Sequence, residues 1–417
     1  MKKIINLIFI AIIFAGCGGG DTSDGLPTQS TTDNNIVSTT TNFGISDKIF
    51  LSYLFDNEYL WYDKIDTNID TTSFNTPMEM ITALRYRKYD HWSYAESYQE
   101  YEDFTNQKSS GSFGFYYNSD FQIIDTVLDS PAYDMGLQRG DIIIDINDKN
   151  ISEEVLKDAK SHLNTPSKFR VVRGDEILEF NIAPSIYTFK VTAYEILNIN
   201  SKKIGLLRYD QFTSTSITEI DKAFRYFKEN NIDELIIDMR YNGGGSLVTT
   251  SILMDKIAGV SFNGYLQFYL SYNDKMSNSN ENYYFQKDTN SLAMNRVFFL
   301  TTQSTASASE VTINSLKPYI DVKLIGDRTH GKPVGMSGRS YKNYIYWLIN
   351  FRILNSNSQG EFYDGIAVDC SVEDDITYPR NDIREDMLEE AIYYIEHNSC
   401  KDNMSKRVKY GYKVNKI

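Results

Sequence analysis

The sequence predicts an α/β protein with a mostly parallel sheet in its main domain, a helical region before that domain, and a small strand-rich domain inserted between them. Two patterns predict the main domain: the alternation of apolar runs with helical segments, and the helix that follows each buried run. From residue 204 onward, short apolar runs alternate with helical segments, and each buried run is followed by a helix, as the crossovers of parallel strands require. A third observation, the change to short strands and turns at residue 111, predicts the inserted domain. A chain of 417 residues has room for roughly two to three such domains.

The first 44 residues are predicted to be a targeting segment and a tether. Two lysines precede an apolar run over 4–14, and Phe14-Ala15-Gly16-Cys17 resembles a bacterial lipobox, in which the cysteine is lipidated after cleavage. This predicts a lipoprotein signal peptide over 1–16, a lipidated Cys17 and a flexible tether over 17–44. A plain cleaved signal peptide and a buried helix are the alternatives. The apolar run is too short to span a bilayer permanently.

Residues 45–106 are predicted to form the helical region, which packs as a cap on the main domain. Its aromatic and aliphatic residues recur mostly at helical intervals, and 78–84 is predicted to be a second helix. His91, near the end of this region, is expected to be structural.

Residues 111–185 are predicted to form the inserted domain. Within the run from Ser130 to Ile143, a short helix leads into the turn Gly136-Leu137-Gln138-Arg139-Gly140-Asp141 and then into a strand. A helix over 153–163 and two closing strands follow. Because the turn and strand features agree over about 70 residues, this segment resembles a PDZ domain.

The resemblance implies a peptide-binding edge. PDZ domains add an extended peptide to a sheet edge and bind its terminal carboxylate through backbone amides. By resemblance, Ser112, Phe113, Gly114 and Phe115 are this carboxylate loop, in which glycine lets the backbone approach the ligand closely. The alternative is a PDZ domain that serves only as a spacer or lid.

The main domain, over 186–400, has a glycine-rich turn after its strand 234–238. The residues Asp238-Met239-Arg240-Tyr241-Asn242-Gly243-Gly244-Gly245 leave unsatisfied amides at a helix start, which suits an anion or an oxyanion. A phosphate loop is excluded because no Lys-Ser/Thr pair follows the glycines, and the G-x-G-x-x-G spacing of dinucleotide sites is absent.

A second motif, Thr305-Ala306-Ser307-Ala308-Ser309-Glu310, stands where a predicted strand over 297–300 becomes a helix. A serine here is near the positive end of the helix dipole, and its hydroxyl needs a base to become nucleophilic. Lys332, 25 residues after Ser307, can serve if burial lowers its pKa toward about 7–8, and Arg328 would act in the same direction if it faces the lysine. His330 is the alternative base, and a solvated Lys332 without a role is the other alternative.

Taken together, the 238–245 and 304–310 segments and Thr329-His330-Gly331-Lys332 look like the three signature segments of the S41 peptidases, the C-terminal processing or tail-specific proteases. The inserted PDZ-like domain and Tyr363-Asp364-Gly365-Ile366 fit the same family. The resemblance covers about 45–400 and implies a ClpP/crotonase-like core.

Carried over to this chain, the resemblance implies that Ser307 is the nucleophile and Lys332 the general base. The N–H of Ala308 and one N–H in the Gly244–Gly245 turn would form the oxyanion hole. One position departs from the family: many members have a glutamine four residues after the lysine to orient it, and here this residue is Met336, which forms no strong hydrogen bond. Gly243 also replaces a proline that is common at this turn.

The function expected from these features is a serine endopeptidase that forms an acyl-enzyme with extracytoplasmic polypeptides whose C-termini the PDZ domain presents. The expected location is bacterial, membrane-anchored through the lipid, in the periplasm or at the outer membrane. The alternative is a non-catalytic peptide-binding lipoprotein with a degenerate protease core. We expect no cofactor and no metal, since the sequence has no His-Glu-x-x-His or Cys-x-x-Cys motif. The formal charge of −14 argues against a nucleic-acid partner.

Two further features concern the C-terminal part of the chain. With Cys17 lipidated, Cys370 and Cys400 remain, and an oxidising compartment would permit a disulfide between them; two separate buried thiols are the alternative. The basic segment 401–417 is predicted to be a mobile tail with little to pack against. The sequence does not indicate an oligomeric state.

Overall fold

The computed structural model describes residues 43–66, 68–401 and 415–416. The predicted signal peptide, Cys17 and nearly all of the tether lie outside the described residues. Within the described part of the chain, no helix combines the length and apolar character that crossing a membrane requires.

The helices and strands alternate along most of the chain. The α-helices are α1 (Ile45–Asn57), α2 (Pro77–Leu84), α3 (Tyr98–Thr105), α4 (Pro131–Asp134), α5 (Glu153–Ser161), α6 (Ser216–Glu229), α7 (Leu247–Met254), α8 (Val260–Phe262), α9 (Ala308–Leu316) and α10 (Asp386–His397). The strands are β1 (Tyr94–Ser97), β2 (Phe115–Tyr117), β3 (Ile123–Thr126), β4 (Ile142–Ile146), β5 (Lys149–Asn150), β6 (Ser167–Arg173), β7 (Glu176–Ile182), β8 (Thr192–Ile199), β9 (Lys202–Tyr209), β10 (Glu234–Asp238), β11 (Leu266–Tyr272), β12 (Glu281–Tyr284), β13 (Arg296–Thr301), β14 (Asp321–Gly326), β15 (Val334–Tyr341), β16 (Tyr344–Asn355), β17 (Cys370–Ser371) and β18 (Asn415–Lys416).

The main sheet has six strands in the order β17-β14-β13-β10-β9-β8. All of its neighbours pair in parallel except β8 with β9. Each residue of β10 is buried, as expected for a strand covered on both faces. Helices α6, α7 and α9 contribute to the apolar core on one face, and α10 contributes to the core on the other. This sheet agrees with the parallel arrangement predicted from the alternation of apolar runs and helices.

A second, antiparallel sheet corrects that prediction. Strands β1, β16, β11 and β12 pair in this order, and β15 pairs with β16 along its length. The apolar run over 344–352, which the alternation of runs and helices would assign to the parallel sheet, therefore lies in this second sheet instead. Only the turn at Lys342 and Asn343 separates β15 from β16, and a connection this short allows antiparallel pairing alone, because parallel strands need a long crossover. The main domain thus contains mixed sheets.

The helical region packs on this second sheet through an aromatic-rich core that includes Tyr59, Trp61, Tyr346 and Trp347. The prediction of a wholly helical region is incomplete, because β1 extends the second sheet. The inserted domain contains the four-stranded antiparallel sheet β5-β4-β6-β7, the β2–β3 pair and α5 around its own apolar core.

Cys370 in β17 and Cys400 after α10 form a disulfide, with their Cα atoms 5.6 Å apart and a separation of 30 positions in sequence. We expect the double substitution Cys370→Ser/Cys400→Ser to lower the free energy of unfolding by about 3–4 kcal/mol, because a loop of this length restricts the unfolded chain. Urea denaturation with and without reductant measures this loss. Reductant should destabilise the wild type by a similar amount and leave the double variant unchanged; equal stability of all four samples would contradict the prediction.

Candidate active site

Ser307 lies between β13 and α9 in an unusual backbone conformation. Its φ is +56° and ψ is −114°, and it is buried with 3% exposure. A positive φ in a residue other than glycine costs about 1–3 kcal/mol and persists only where neighbouring bonds enforce it. The Ser307 N–H donates to Glu310 Oε2 at 2.8 Å, and its carbonyl accepts from the Val311 N–H at 2.8 Å. The strained turn holds the serine at the N-terminal end of α9.

The glycine-rich turn packs directly against this serine. A Cβ added to Gly244 would lie 2.9 Å from Ala306 O, Ala308 N and Ser307 Cβ, so only glycine fits here. The carbonyl of Asn242 accepts from Ala306 N and from Ser309 Oγ, each at 3.0 Å. The turn and the serine motif, which lie more than 60 residues apart in sequence, form one compact unit.

The structure distinguishes the amides of this unit. Gly244 N–H donates to Asn242 Oδ1 at 2.9 Å and is therefore occupied. The N–H groups of Ala308 and Gly245 have no hydrogen-bond partner among the described residues. Of the three residues predicted to form the oxyanion hole, Ala308 and Gly245 each have a backbone N–H available to donate. Gly244 does not, and its missing side chain instead leaves room for Ser307.

Lys332 is fully buried, and its Nζ has no hydrogen-bond partner in the described part of the chain. Burial lowers the pKa of Lys332 to about 7, against the opposing effect of the negative charges on Asp90 and Glu310. Arg328 does not contribute as expected, because its guanidinium donates to the carbonyls of Asp364 and Gly365. A lysine with a pKa near neutrality can exchange protons at physiological pH, whereas a solvated one cannot.

Glu310 joins the two motifs. Its Oε2 accepts from the backbone N–H groups of Ser307 and Lys332 at 2.8 Å each, so these nitrogens are no more than twice that distance apart. Its Oε1 accepts from Gly331 N and Thr329 Oγ1 at 2.6 Å each. Four accepted bonds are the pattern of an ionised carboxylate, although burial raises the pKa of Glu310.

Trp92, from the helical region, covers the lysine. Lys332 Nζ lies 5.6 Å from the centre of the Trp92 ring, within the range of a cation–π contact. Asp90 fixes the turn that carries this tryptophan: its carboxylate accepts from the N–H groups of Trp92 and Ser93 and from the hydroxyls of Tyr59 and Ser93. Part of the lysine's environment therefore comes from a segment 240 residues away in sequence.

His330, the alternative base, is engaged elsewhere. Its Nε2 accepts from Trp92 Nε1 at 3.2 Å, and its Nδ1 donates to Gln303 O at 3.3 Å. Burial lowers the pKa of His330. The ring helps to position Trp92 and does not hydrogen-bond Ser307 in the structure. His91 is exposed and stacks edge-on against Trp92.

Met336 is buried in the apolar core between the helical region and the second sheet. A β-bulge in β15 lies between Gly335 and Met336 and changes the side-chain alternation at this point. The position that is glutamine in many family members is thus used for packing. In this chain the anchor of Lys332 is Glu310 through the backbone, with Trp92 over the amine.

A buried ionic network lies behind the glycine-rich turn and reaches the inserted domain. Arg240, with no exposed surface, pairs with Asp238, Asp374 and Glu385. Arg139 of the inserted domain donates to Asp374 at 2.5 Å and to the hydroxyl of Tyr241 at 2.6 Å. The inserted domain therefore contacts the residues that immediately precede the turn.

The predicted carboxylate loop precedes β2. Ser112 exchanges two backbone hydrogen bonds with Ser185, and Phe113 and Phe115 point into the domain core. The N–H groups of Phe113 and Gly114 have no partner among the described residues. An added Cβ at Gly114 would lie 2.1 Å from Ser130 Cβ, so internal packing by itself requires glycine here, and the close approach of a ligand at this residue stays a prediction.

Sequence reasoning assigned no role to Glu310, Asp90 or Trp92. Glu310 had a signal, since Ser-x-x-Glu at a helix start is the capping-box pattern. Asp90 and Trp92 had none, because only tertiary packing brings them to the lysine.

Comparison with protein families agrees with this geometry. Residues 203–372 match the model described as peptidase family S41, residues 51–94 match the peptidase S41 N-terminal domain, and residues 123–172 match a PDZ domain. The site residues 238–245, 307, 310 and 332 all fall in the first of these ranges, and Trp92 falls in the second.

Curated relatives and solved structures point the same way. The "Probable CtpA-like serine protease" of Staphylococcus aureus is 25% identical over 237 residues, which is 54% of this chain and 44% of the relative; its Staphylococcus epidermidis counterpart is 25% identical over 231 residues, 54% of this chain and 45% of the relative. The chain thus spans less than half the length of the curated relatives it matches.

Among solved structures, one of a Bacteroides fragilis protein assigned to the S41 proteases aligns over 89% of this chain and 100% of its own, at a TM-score of 0.74 and 23% identity. The photosystem II D1 C-terminal processing protease aligns over 83% of this chain and 98% of its own, at a TM-score of 0.50 and 14% identity. These likenesses show a shared fold.

Proposed function

We propose that this chain, which belongs to peptidase family S41, is a serine endopeptidase with Ser307 as nucleophile and Lys332 as general base. The observation that supports the proposal is the single carboxylate of Glu310, which binds the backbone N–H groups of both the strained Ser307 and the buried Lys332, whose pKa is about 7; Lys332 Nζ and Ser307 Oγ are not hydrogen-bonded to each other in the structure. A structural serine and a structural lysine would need neither the strain nor the unpaired buried amine.

The chemistry follows from these groups. Neutral Lys332 Nζ takes the proton of Ser307 Oγ as the oxygen attacks the scissile carbonyl carbon. The oxyanion that forms accepts from the N–H groups of Ala308 and Gly245. Collapse breaks the C–N bond, and the protonated lysine returns its proton to the leaving amine. A water molecule, deprotonated by the same lysine, then hydrolyses the acyl-enzyme and regenerates Ser307.

The substrates we propose are extracytoplasmic polypeptides whose C-terminal tails bind the PDZ domain at the edge of β2. Two features support this part: the unpartnered amides of Phe113 and Gly114 at the end of that strand, and the contact of Arg139 with the residues before the glycine-rich turn. The location rests on the lipobox-like sequence around Cys17, which would anchor the protein to a bacterial membrane through lipid.

A covalent probe tests the assignment of the nucleophile. We expect a biotinylated fluorophosphonate to modify Ser307, located by mass spectrometry of the digested protein, because only an activated hydroxyl reacts with it. Ser307→Ala should lose the label, and Ser304→Ala, in the same loop, should keep it. Labelling that persists in Ser307→Ala, or no labelling of the folded wild type, would overturn the proposal and favour the non-catalytic peptide-binding lipoprotein.

A further inference from the structure

The edge of β2 is occupied in the structure by another part of the same chain. Strand β18 pairs antiparallel with β2, with Asn415 opposite Tyr117 and Lys416 opposite Tyr116, and β3 covers the other edge. Helix α5, whose Glu153 accepts from the Tyr117 hydroxyl at 2.6 Å, packs beside β2. Strand addition next to this helix is the way a PDZ domain binds an extended peptide.

The direction of the pairing is that of a bound tail. As the numbering of β18 rises from 415 to 416, its partners on β2 fall from 117 to 116, so the pairing runs toward the predicted carboxylate loop. The amides of Phe113 and Gly114 lie unpartnered at that end. A strand of the opposite direction would present its earlier residues to the loop.

Charge favours the same contact. Residues 402–417 contain five lysines and arginines and one aspartate, while the whole chain carries a formal charge of −14. Glu153 and Glu154 are exposed in the first turn of α5, and Asp120 is exposed in the turn between β2 and β3. Further along α5, Asp158 is accompanied by Lys157 and Lys160, so the acidic surface is limited to the first turn of the helix and to Asp120. A basic segment is attracted to this part, and salt should weaken the attraction.

We propose that strand β18 is an intramolecular ligand of the PDZ groove and competes with incoming polypeptide tails, a regulation that rests on the proposed role of this groove in substrate binding. The pairing is short and thus weak, but β18 and β2 belong to one chain, and an intramolecular ligand acts at an effective concentration on the order of millimolar. Substrate tails that bind more tightly displace it, and weaker ones do not. The predicted mobile tail then has a function.

A binding experiment independent of catalysis tests the proposal. The probe is a dye-labelled synthetic peptide with the sequence of residues 405–417, followed by fluorescence anisotropy. It is titrated with three proteins that all carry Ser307→Ala to prevent cleavage: the full chain, the chain ending at Lys401, and the full chain with Asn415→Pro/Lys416→Pro, which removes two N–H donors of the added strand. We expect the second and third proteins to bind the probe roughly two- to tenfold more tightly than the first.

The matched control is Asn403→Pro/Met404→Pro, which changes the same tail outside the paired strand and should bind the probe as the full chain does. Equal affinity in all forms would overturn the proposal, and so would a probe that binds none of them. A difference that disappears when the protein is diluted tenfold would also overturn it, because the tail would then bind a second molecule. Failure of the protease assignment would appear in the fluorophosphonate experiment and leave this result unaffected.

Discussion

Replacing Lys332 with methionine is expected to lower the rate of peptide-bond cleavage by about three orders of magnitude or more, without lowering the free energy of unfolding. Methionine has a similar length and keeps the contact with Trp92, but it accepts no proton. The amine it replaces is fully buried and lacks a hydrogen-bond partner among the described residues, so its removal relieves a desolvation cost. Loss of activity with equal or greater stability distinguishes a catalytic lysine from a structural one.

The measurements are kcat/KM for an unfolded protein substrate and the urea midpoint, with Lys256→Met as the matched control. Lys256 is also buried, but its Nζ is paired with Asp221 and Asp288 at 2.8 and 3.0 Å. Its replacement should lower stability, because two carboxylates lose their partner, and should leave the rate constant of the folded enzyme nearly unchanged. If Lys332→Met retains more than about a tenth of wild-type kcat/KM, the lysine is not the base.

The pH dependence of kcat/KM and of the free energy of unfolding tests the lowered pKa of Lys332. Because the proposed mechanism requires the neutral amine, wild-type kcat/KM should rise with pH, be half-maximal at about pH 7, where half of Lys332 is deprotonated, and level off about one unit above. The folded-state pKa is lower than the unfolded value of about 10.4, so the folded protein binds fewer protons between these values and is stabilised as pH rises. The stability advantage of Lys332→Met should therefore be largest below pH 7 and shrink toward pH 10.

The serine motif could be predicted from the sequence because its chemistry is local. Ser307 follows a buried strand and starts a helix, and strand ends and helix starts are visible in a single run of residues. The glycine-rich turn was recognisable for the same reason. The inserted domain was recognisable because its turns require glycine at particular positions, such as Gly136 and Gly140, whose φ values are +85° and +90°.

The environment of the base could not be predicted in the same way. Lys332 owes its lowered pKa to burial, and the Trp92 turn that covers it belongs to a separate region that packs on the second sheet. The antiparallel pairing of β15 and β16 was missed because β16 is largely buried and its sequence is an apolar run, which resembles a parallel strand, whereas β15 is rich in glycine and serine and shows no strand pattern. The departure at Met336 was visible, but the bulge that directs this side chain into the core was not.

Glu310→Gln is expected to lower kcat by roughly a hundredfold and to move the acid limb of the pH profile to lower pH. The glutamine nitrogen cannot accept, so it would face two of the four donors that Glu310 now binds, and the backbones of Ser307 and Lys332 would lose their common anchor. The negative charge of Glu310 also raises the pKa of Lys332, so its removal should lower that pKa and allow activity at lower pH.

The shift of the pH profile separates this positioning role from a general loss of stability. Glu219→Gln is the matched control, since the carboxylate of Glu219 also accepts from two backbone N–H groups, those of Val191 and Thr192, and from the Thr192 hydroxyl. Both variants should lose about 1–3 kcal/mol of unfolding free energy, which chemical denaturation measures. Only Glu310→Gln should change kcat and the half-maximal pH, because only its carboxylate binds the backbones of both Ser307 and Lys332. An unshifted profile in a folded Glu310→Gln protein would mean that this charge does not act on the lysine, and that burial alone determines its pKa.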